Sequence, residues 1–216
     1  MQFVTLPRPH DLLELEVSSS LSPFIVQGAP TWALCTLAQT PWLTVRRGSV
    51  SAERIPAGVR GLSRDQRWAC SLQSFQIKRI VRPWEIPLAR TLQTLSFPFL
   101  RPALDALADL HAHWNTDGYS WGPYGSVAFE LMTGFKCTRK DSDLDLVLDG
   151  SRPMSRRTAR FLCQGLATQK IRVDALVETP TCGFWLSEFA YSDDHASILL
   201  RTAAGPRFSS DPWSEF

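Results

Sequence analysis

The chain has 216 residues, 44% of them hydrophobic and 20% charged, with a formal net charge of +2. That length supports a sizeable core in one large or two small domains, with the composition of an ordinary globular protein. The small charge gives no ground for a polynucleotide partner, and no apolar run approaches the ~20 residues that span a bilayer. Cys35, Cys70, Cys137, Cys163 and Cys182 form no C-x-x-C pair, which argues against a disulfide framework and against a zinc site. The first residues lack the basic start and long apolar stretch of a signal peptide, so a reducing cytoplasm is the expected setting. Eight tryptophans are spread along the chain and read as core and interface residues rather than base-stacking platforms.

Residues 1–82 read as a small accessory domain, mostly β or α+β. Short strand-like runs, Phe24-Ile25-Val26, Trp32 to Leu37 and Leu43-Thr44-Val45, are broken by Pro, Gly and Ser clusters. Gln73 to Val81 alternates imperfectly and predicts one more strand. Between them, Arg46, Arg47, Arg54, Arg60, Arg64 and Arg67 face only two acids, Glu53 and Asp65. Gly58 and Gly61 flank Val59-Arg60 and would let backbone approach a ligand. Such a cluster binds phosphates through guanidinium forks or steers an acidic protein partner; each arginine singly could also be a solvated surface charge.

Residues 83–216 read as a second domain. Pro83, Pro87, Pro98 and Pro102 mark a connecting segment, and Pro102 suits the first turn of a helix carrying Leu104, Leu107, Ala108, His111 and Trp114 at helical spacing. Tyr124-Gly125-Ser126 then enters a helix over Val127 to Met132, which ends near Gly134. A strand follows from Asp141 to Leu148, a helix from Ser155 to Thr168, and a strand from Lys170 to Glu178. This alternation predicts an α+β fold with helices on one side of a mixed sheet. His10, His111, His113 and His195 show no metal-ligand spacing; His111, on the apolar face of its helix, reads as a core residue, and His10 has no role legible from sequence.

The chemistry concentrates in Asp143-Leu144-Asp145. On a strand, Asp143 and Asp145 share one face while Leu144, Leu146 and Leu148 take the other. Two carboxylates side by side repel unless a divalent cation neutralises both. The pair could also decorate an exposed strand end, but Asp is depleted in strands, and two within a Leu/Val run need compensation. On the later strand, Ile171, Val173, Ala175 and Val177 leave Asp174 on the opposite face; alone, Asp174 is as readily a solvent-facing edge carboxylate. Gly125-Ser126 entering a helix offers backbone N–H groups and a hydroxyl to an anion, or simply an N-cap. Arg139 and Lys140, just ahead of the aspartates, could neutralise a departing anion or stand in solvent. Trp121 and Tyr124 beside the Gly-Ser turn read as packing residues.

Gly-Ser, Asp-x-Asp on a strand and a later third carboxylate together resemble the nucleotidyltransferase superfamily. The wider chain resembles the MdcG-type phosphoribosyl-dephospho-CoA transferases, also called malonate decarboxylase holo-acyl-carrier-protein synthases. The match runs from Arg8-Pro9-His10-Asp11-Leu12 through Pro41 to Arg47, Pro56 to Gly61 with Arg64, Gln66 and Arg67, Trp121 to Ser126, Leu131-Met132-Thr133-Gly134 and Ser142 to Leu146. The resemblance implies a nucleotidyltransferase-like sheet. It implies transfer of a phosphoribosyl-dephospho-CoA group from 2'-(5-triphosphoribosyl)-3'-dephospho-CoA to a serine of the apo acyl-carrier subunit of malonate decarboxylase, with release of diphosphate. It also implies Mg2+, two ions ~3.5–4 Å apart, on Asp143, Asp145 and Asp174, with Asp174 a candidate general base. Gly125, Ser126, Arg139, Lys140, Arg46, Arg47, Arg60, Arg64 and Arg67 are the expected phosphate- or carrier-binding residues. An ordinary nucleoside triphosphate as donor to another hydroxyl, and a non-catalytic nucleotide-binding adaptor, are the alternatives; the repulsive acidic cluster speaks against the adaptor.

Overall fold

The computed structural model describes residues 6–16, 25, 27–87, 99–116 and 118–214. In the first half, β1 (Leu12–Leu15), β2 (Trp42–Val45), β3 (Ile55–Arg60), β4 (Arg67–Leu72) and β5 (Ile77–Val81) form an antiparallel sheet in the order β4-β3-β2-β1-β5. Alternation along β3 decides the layout. Ile55, Ala57 and Val59 pack with Leu13, Leu15, Leu43 and Val45 beneath helix α1 (Thr31–Gln39), while Gly58 and Arg60 project from the opposite face.

The structure makes α1 a helix where sequence reading expects a strand from Trp32 to Leu37. Ala33, Thr36 and Leu37 are its buried positions, a spacing of three and four residues, and a short apolar run does not distinguish the two periods. The expected strand from Gln73 also starts later. A 3-10 turn over Ser74–Gln76 comes first, folding Gln76 Oε1 back to accept from Gln73 N–H at 2.8 Å. Phe24 and Val26 of the first expected strand lie outside the described residues, as do most of the residues leading to Pro102.

The second half forms a six-stranded sheet from β6 (Trp121–Tyr124), β7 (Leu144–Asp149), β8 (Val173–Glu178), β9 (Cys182–Trp185), β10 (Ile198–Thr202) and β11 (Gly205–Ser209), in the order β11-β10-β9-β8-β7-β6. All pairs are antiparallel except β7–β8, which are parallel. A parallel pair needs a crossover, and α4 (Arg156–Ala167) supplies it, capped by Ser155 Oγ accepting from Thr158 N–H at 3.0 Å. One sheet face, carrying Leu144, Leu146, Leu148, Ala175 and Val177, packs on α2 (Arg101–His113), α4 and α5 (Leu186–Tyr191). Each such fully buried leucine contributes about 1.5–3 kcal/mol. His111, expected in the core, is exposed and its ring lies tilted against Trp121 with centroids 4.8 Å apart; the buried stripe of α2 runs through Leu104, Leu107 and Leu110 instead. Two layers in this order make the α+β fold expected from sequence.

The opposite face of the sheet presents Asp145, Val147 and Asp149 from β7 and Asp174, Leu176 and Glu178 from β8. The N-terminal half lies against it. Arg47 holds Glu178 through two hydrogen bonds at 2.6 and 2.7 Å, and Arg8 holds Asp149 at 3.2 Å. Helix α3 (Gly125–Thr133) ties the halves together, setting Ala128 and Phe129 among Leu12, Trp42 and Val81. At Gly122 the approach is so close that a Cβ would lie 2.1 Å from the Pro83 carbonyl oxygen. Among the described residues, no helix is long and apolar enough to cross a membrane.

Candidate active site

Asp145 is the centre of this interface. In the sheet register it stands opposite Tyr124 on one side and Asp174 on the other, so the two carboxylates share a face. Asp143 immediately precedes β7, reached through a turn in which Ser142 Oγ accepts from Arg139 N–H at 2.9 Å. Burial, reinforced by Asp174 and Asp143, pushes the Asp145 carboxyl up to about 6 despite Arg60 and His10 nearby.

The Gly-Ser turn is set against this carboxylate. Gly125 has φ +73°, and a Cβ there would lie 2.7 Å from Asp145 Oδ2, so only glycine lets the backbone come so near. Glu130, buried on α3, accepts hydrogen bonds from Cys137 N–H at 2.9 Å, Thr138 N–H at 2.6 Å and Thr138 Oγ1 at 2.6 Å. It thereby locks the helix that begins at Gly125 to the segment that leads into Asp143.

A cleft of about 120 Å³ opens over the aspartates. It brings together Ser126, Arg139, Asp143 and Asp145 with Arg60, Arg64 and Arg67 from the β3–β4 hairpin. Arg60 is 8% exposed, and burial, then repulsion from Arg67, pulls its guanidinium down to about 10. No hydrogen bond or ion pair to another described residue occupies it, so its fork is available to an anion. An adjoining cleft of about 340 Å³ shares Arg60, Arg67 and Asp145 and adds His10, Arg46, Tyr124 and Gly125.

Other expected residues are placed differently. Arg47 donates to both carboxylate oxygens of Glu178 and lines neither cleft. Lys140 is exposed and lines neither cleft. Asp174, beside Asp145 in register, is paired with Arg172 Nη2 at 2.9 Å. His10, Glu178 and Cys137 belong to the site or its support, and no sequence spacing marks them out.

Among the described residues, no three His, Cys, Asp or Glu side chains gather closely enough to hold a metal ion on their own. Mg2+ ordinarily keeps waters and takes one or two carboxylates together with substrate phosphates. Two aspartates facing arginines across a small cleft, one with its carboxyl raised by burial and then by neighbouring carboxylates, fit an ion that shares its ligands with a bound triphosphate.

Gly125→Ala is expected to reduce both stability and turnover, the latter by about tenfold or more, through misplacement of Asp145. Gly134→Ala is the control: its φ is +75° but nothing lies within 4 Å of the added Cβ. It should cost stability alone, about 1–2 kcal/mol of left-handed strain read as a lower melting temperature. Equal loss of turnover in both variants would contradict the placement of the turn.

Residues 91–212 match the family described as phosphoribosyl-dephospho-CoA transferase MdcG C-terminal domain, and residues 8–83 match the corresponding N-terminal domain. A phosphoribosyl-dephospho-CoA transferase of Pseudomonas putida strain W619 is 35% identical over 98% of this chain and 97% of its own. Proteins of the same name from Pseudomonas aeruginosa and Klebsiella pneumoniae strain 342 are each 35% identical, covering 96% of this chain and 94% and 96% of theirs. No solved structure matches. The chain belongs to the MdcG family of phosphoribosyl-dephospho-CoA transferases and is an enzyme of the transferase class.

Proposed function

We propose that the protein transfers the phosphoribosyl-dephospho-CoA group from 2'-(5-triphosphoribosyl)-3'-dephospho-CoA to a serine of the apo acyl-carrier subunit of malonate decarboxylase. The observation that carries this reading is the single cleft in which Asp143, Asp145 and Ser126 face Arg60, Arg64 and Arg67. The names of its relatives support the transferred group.

The serine Oγ attacks the α-phosphorus, and the bond from that phosphorus to the diphosphate oxygen breaks. Such a reaction is governed mainly by positioning and charge neutralisation. Ser126 and the first N–H groups of α3 hold the phosphates, at a helix start whose dipole favours an anion. Arg60, Arg64, Arg67 and Arg139 balance the diphosphate as it leaves. Asp143 and Asp145, with Asp174 alongside, would hold Mg2+, which supplies Lewis-acid neutralisation of the phosphate oxygens when bound. The exposed Arg64 and Arg67 at the cleft mouth also suit an acidic carrier surface.

The test is to incubate the protein with the donor and the apo carrier and to weigh the carrier by mass spectrometry. A gain equal to phosphoribosyl-dephospho-CoA on one serine is expected. A gain equal to adenylate, seen only with ATP, would replace the donor assignment with an ordinary nucleoside triphosphate.

A further inference from the structure

The transfer proposed above needs a group to take the proton of the attacking serine hydroxyl, and the present inference rests on that reading. The obvious carboxylates are engaged. Asp143 and Asp145 are assigned to Mg2+, Asp174 is paired with Arg172 at 2.9 Å, and the exposed Asp141 lies 3.4 Å from Arg139. Burial pushes the Cys137 thiol up to about 11 and raises the Tyr124 hydroxyl as well, so neither thiolate nor phenolate is on hand. His10 lines the same cleft as Gly125 and Asp145.

Its backbone is held in an unusual state. His10 has φ +76° and is the only non-glycine with positive φ among the described residues. That conformation costs about 1–2 kcal/mol and persists where the surroundings over-determine it, often at functional sites. Here His10 N–H donates to the Val45 carbonyl at 3.1 Å, and Arg8 N–H donates to Asp11 Oδ2 at 2.8 Å, closing the turn around it. The ring then packs against Tyr124, the residue before the Gly-Ser turn, with centroids 4.3 Å apart and the planes tilted by 57°.

The ring also has an orienting partner. Nε2 is 3.4 Å from Glu178 Oε2, an ion-pair contact longer than a full hydrogen bond. Burial alone would raise the Glu178 carboxyl, but the nearby His10 ring and the two hydrogen bonds from Arg47 outweigh it and hold the group below the usual carboxylate range. An ionised carboxylate facing Nε2 favours the proton there and leaves the lone pair on Nδ1. Nδ1 has no hydrogen-bond partner among the described residues.

We propose that His10 is the general base. Nδ1 takes the serine proton as Oγ bonds to the α-phosphorus, the electron pair of the breaking bond leaves on diphosphate, and the imidazolium, steadied by Glu178, returns the proton to solvent.

The experiment measures diphosphate release from the donor in the presence of the apo carrier. His10→Asn keeps a side chain that tolerates positive φ but cannot act as base; His10→Gly keeps the turn and leaves room for added imidazole. Both are expected to lose about 100-fold or more in kcat with KM for the donor little changed. Imidazole should restore part of the kcat of His10→Gly and leave wild type and Asp145→Asn unchanged. Variants as fast as an active wild type, or a slow His10→Gly that melts like wild type and ignores imidazole, would overturn the assignment to His10 alone. A wild-type protein that releases no diphosphate would overturn it together with the function it rests on.

Discussion

Asp145→Asn is expected to melt at a higher temperature than the wild-type protein at neutral pH in chelator, although it removes the central residue of the site. Burial and the neighbouring Asp174 and Asp143 raise the Asp145 carboxyl from 3.8 to about 6. A carboxyl raised on folding favours the folded state fully below its unfolded value, and that contribution is lost as pH rises through about 6. At pH 7 the folded chain therefore carries an unfavourable charge, worth about 2–3 kcal/mol, which the amide lacks at almost the same size. The difference between variant and wild type should close towards about pH 4, where the wild-type carboxyl is protonated when folded. Adding Mg2+ should raise the melting temperature of the wild type and leave the variant unmoved. A variant less stable than wild type at pH 7 would contradict the strain assigned to this cluster.

The opposite effect is expected at the seam between the sheets. Arg47→Met strips a bidentate partner from Glu178, whose side chain is only 7% exposed. Breaking a buried pair from one side leaves an uncompensated charge and costs about 3–5 kcal/mol. Glu178 is held below its ordinary value, so its contribution is present above the unfolded carboxylate range and is lost as pH falls through the folded value. The deficit of Arg47→Met should accordingly shrink in acid. Removing both charges, in Arg47→Met with Glu178→Met, should recover much of the loss. Denaturant unfolding of the three proteins reads this directly. A single variant within about 1 kcal/mol of wild type would mean that the pair is not what fastens the halves.

The acidic centre is legible in the sequence because it is local. Asp143 and Asp145 are two residues apart at the mouth of a strand, and Gly125-Ser126 is a contiguous turn, so period and composition are enough. The arginines show where that reading stops. In sequence Arg47 and Arg60 are alike; in the fold Arg60 projects from β3 into the cleft, whereas Arg47 meets Glu178 on a strand far along the chain. Asp174 was readable as facing away from the core, but its pairing with Arg172 follows from side-chain reach rather than strand parity. Trp32 to Leu37 was ambiguous because six mostly apolar residues satisfy either period. His10 lies in the family-like opening segment but carries no spacing that gives it a role: its left-handed turn is closed by Val45 and Arg8–Asp11, and its contacts with Tyr124 and Glu178 arise only where the two halves meet.

Asp143 and Asp145 are proposed to form one phosphate-handling centre with the arginines of the N-terminal hairpin. The direct measurement is single-turnover diphosphate release, with donor, apo carrier and Mg2+, by wild type and by Asp143→Asn with Asp145→Asn. The wild type should release one diphosphate per carrier modified, and the double variant should be slower by on the order of 10³ or more. Release by the folded double variant at the wild-type rate would show that the two aspartates are not the phosphate-handling centre.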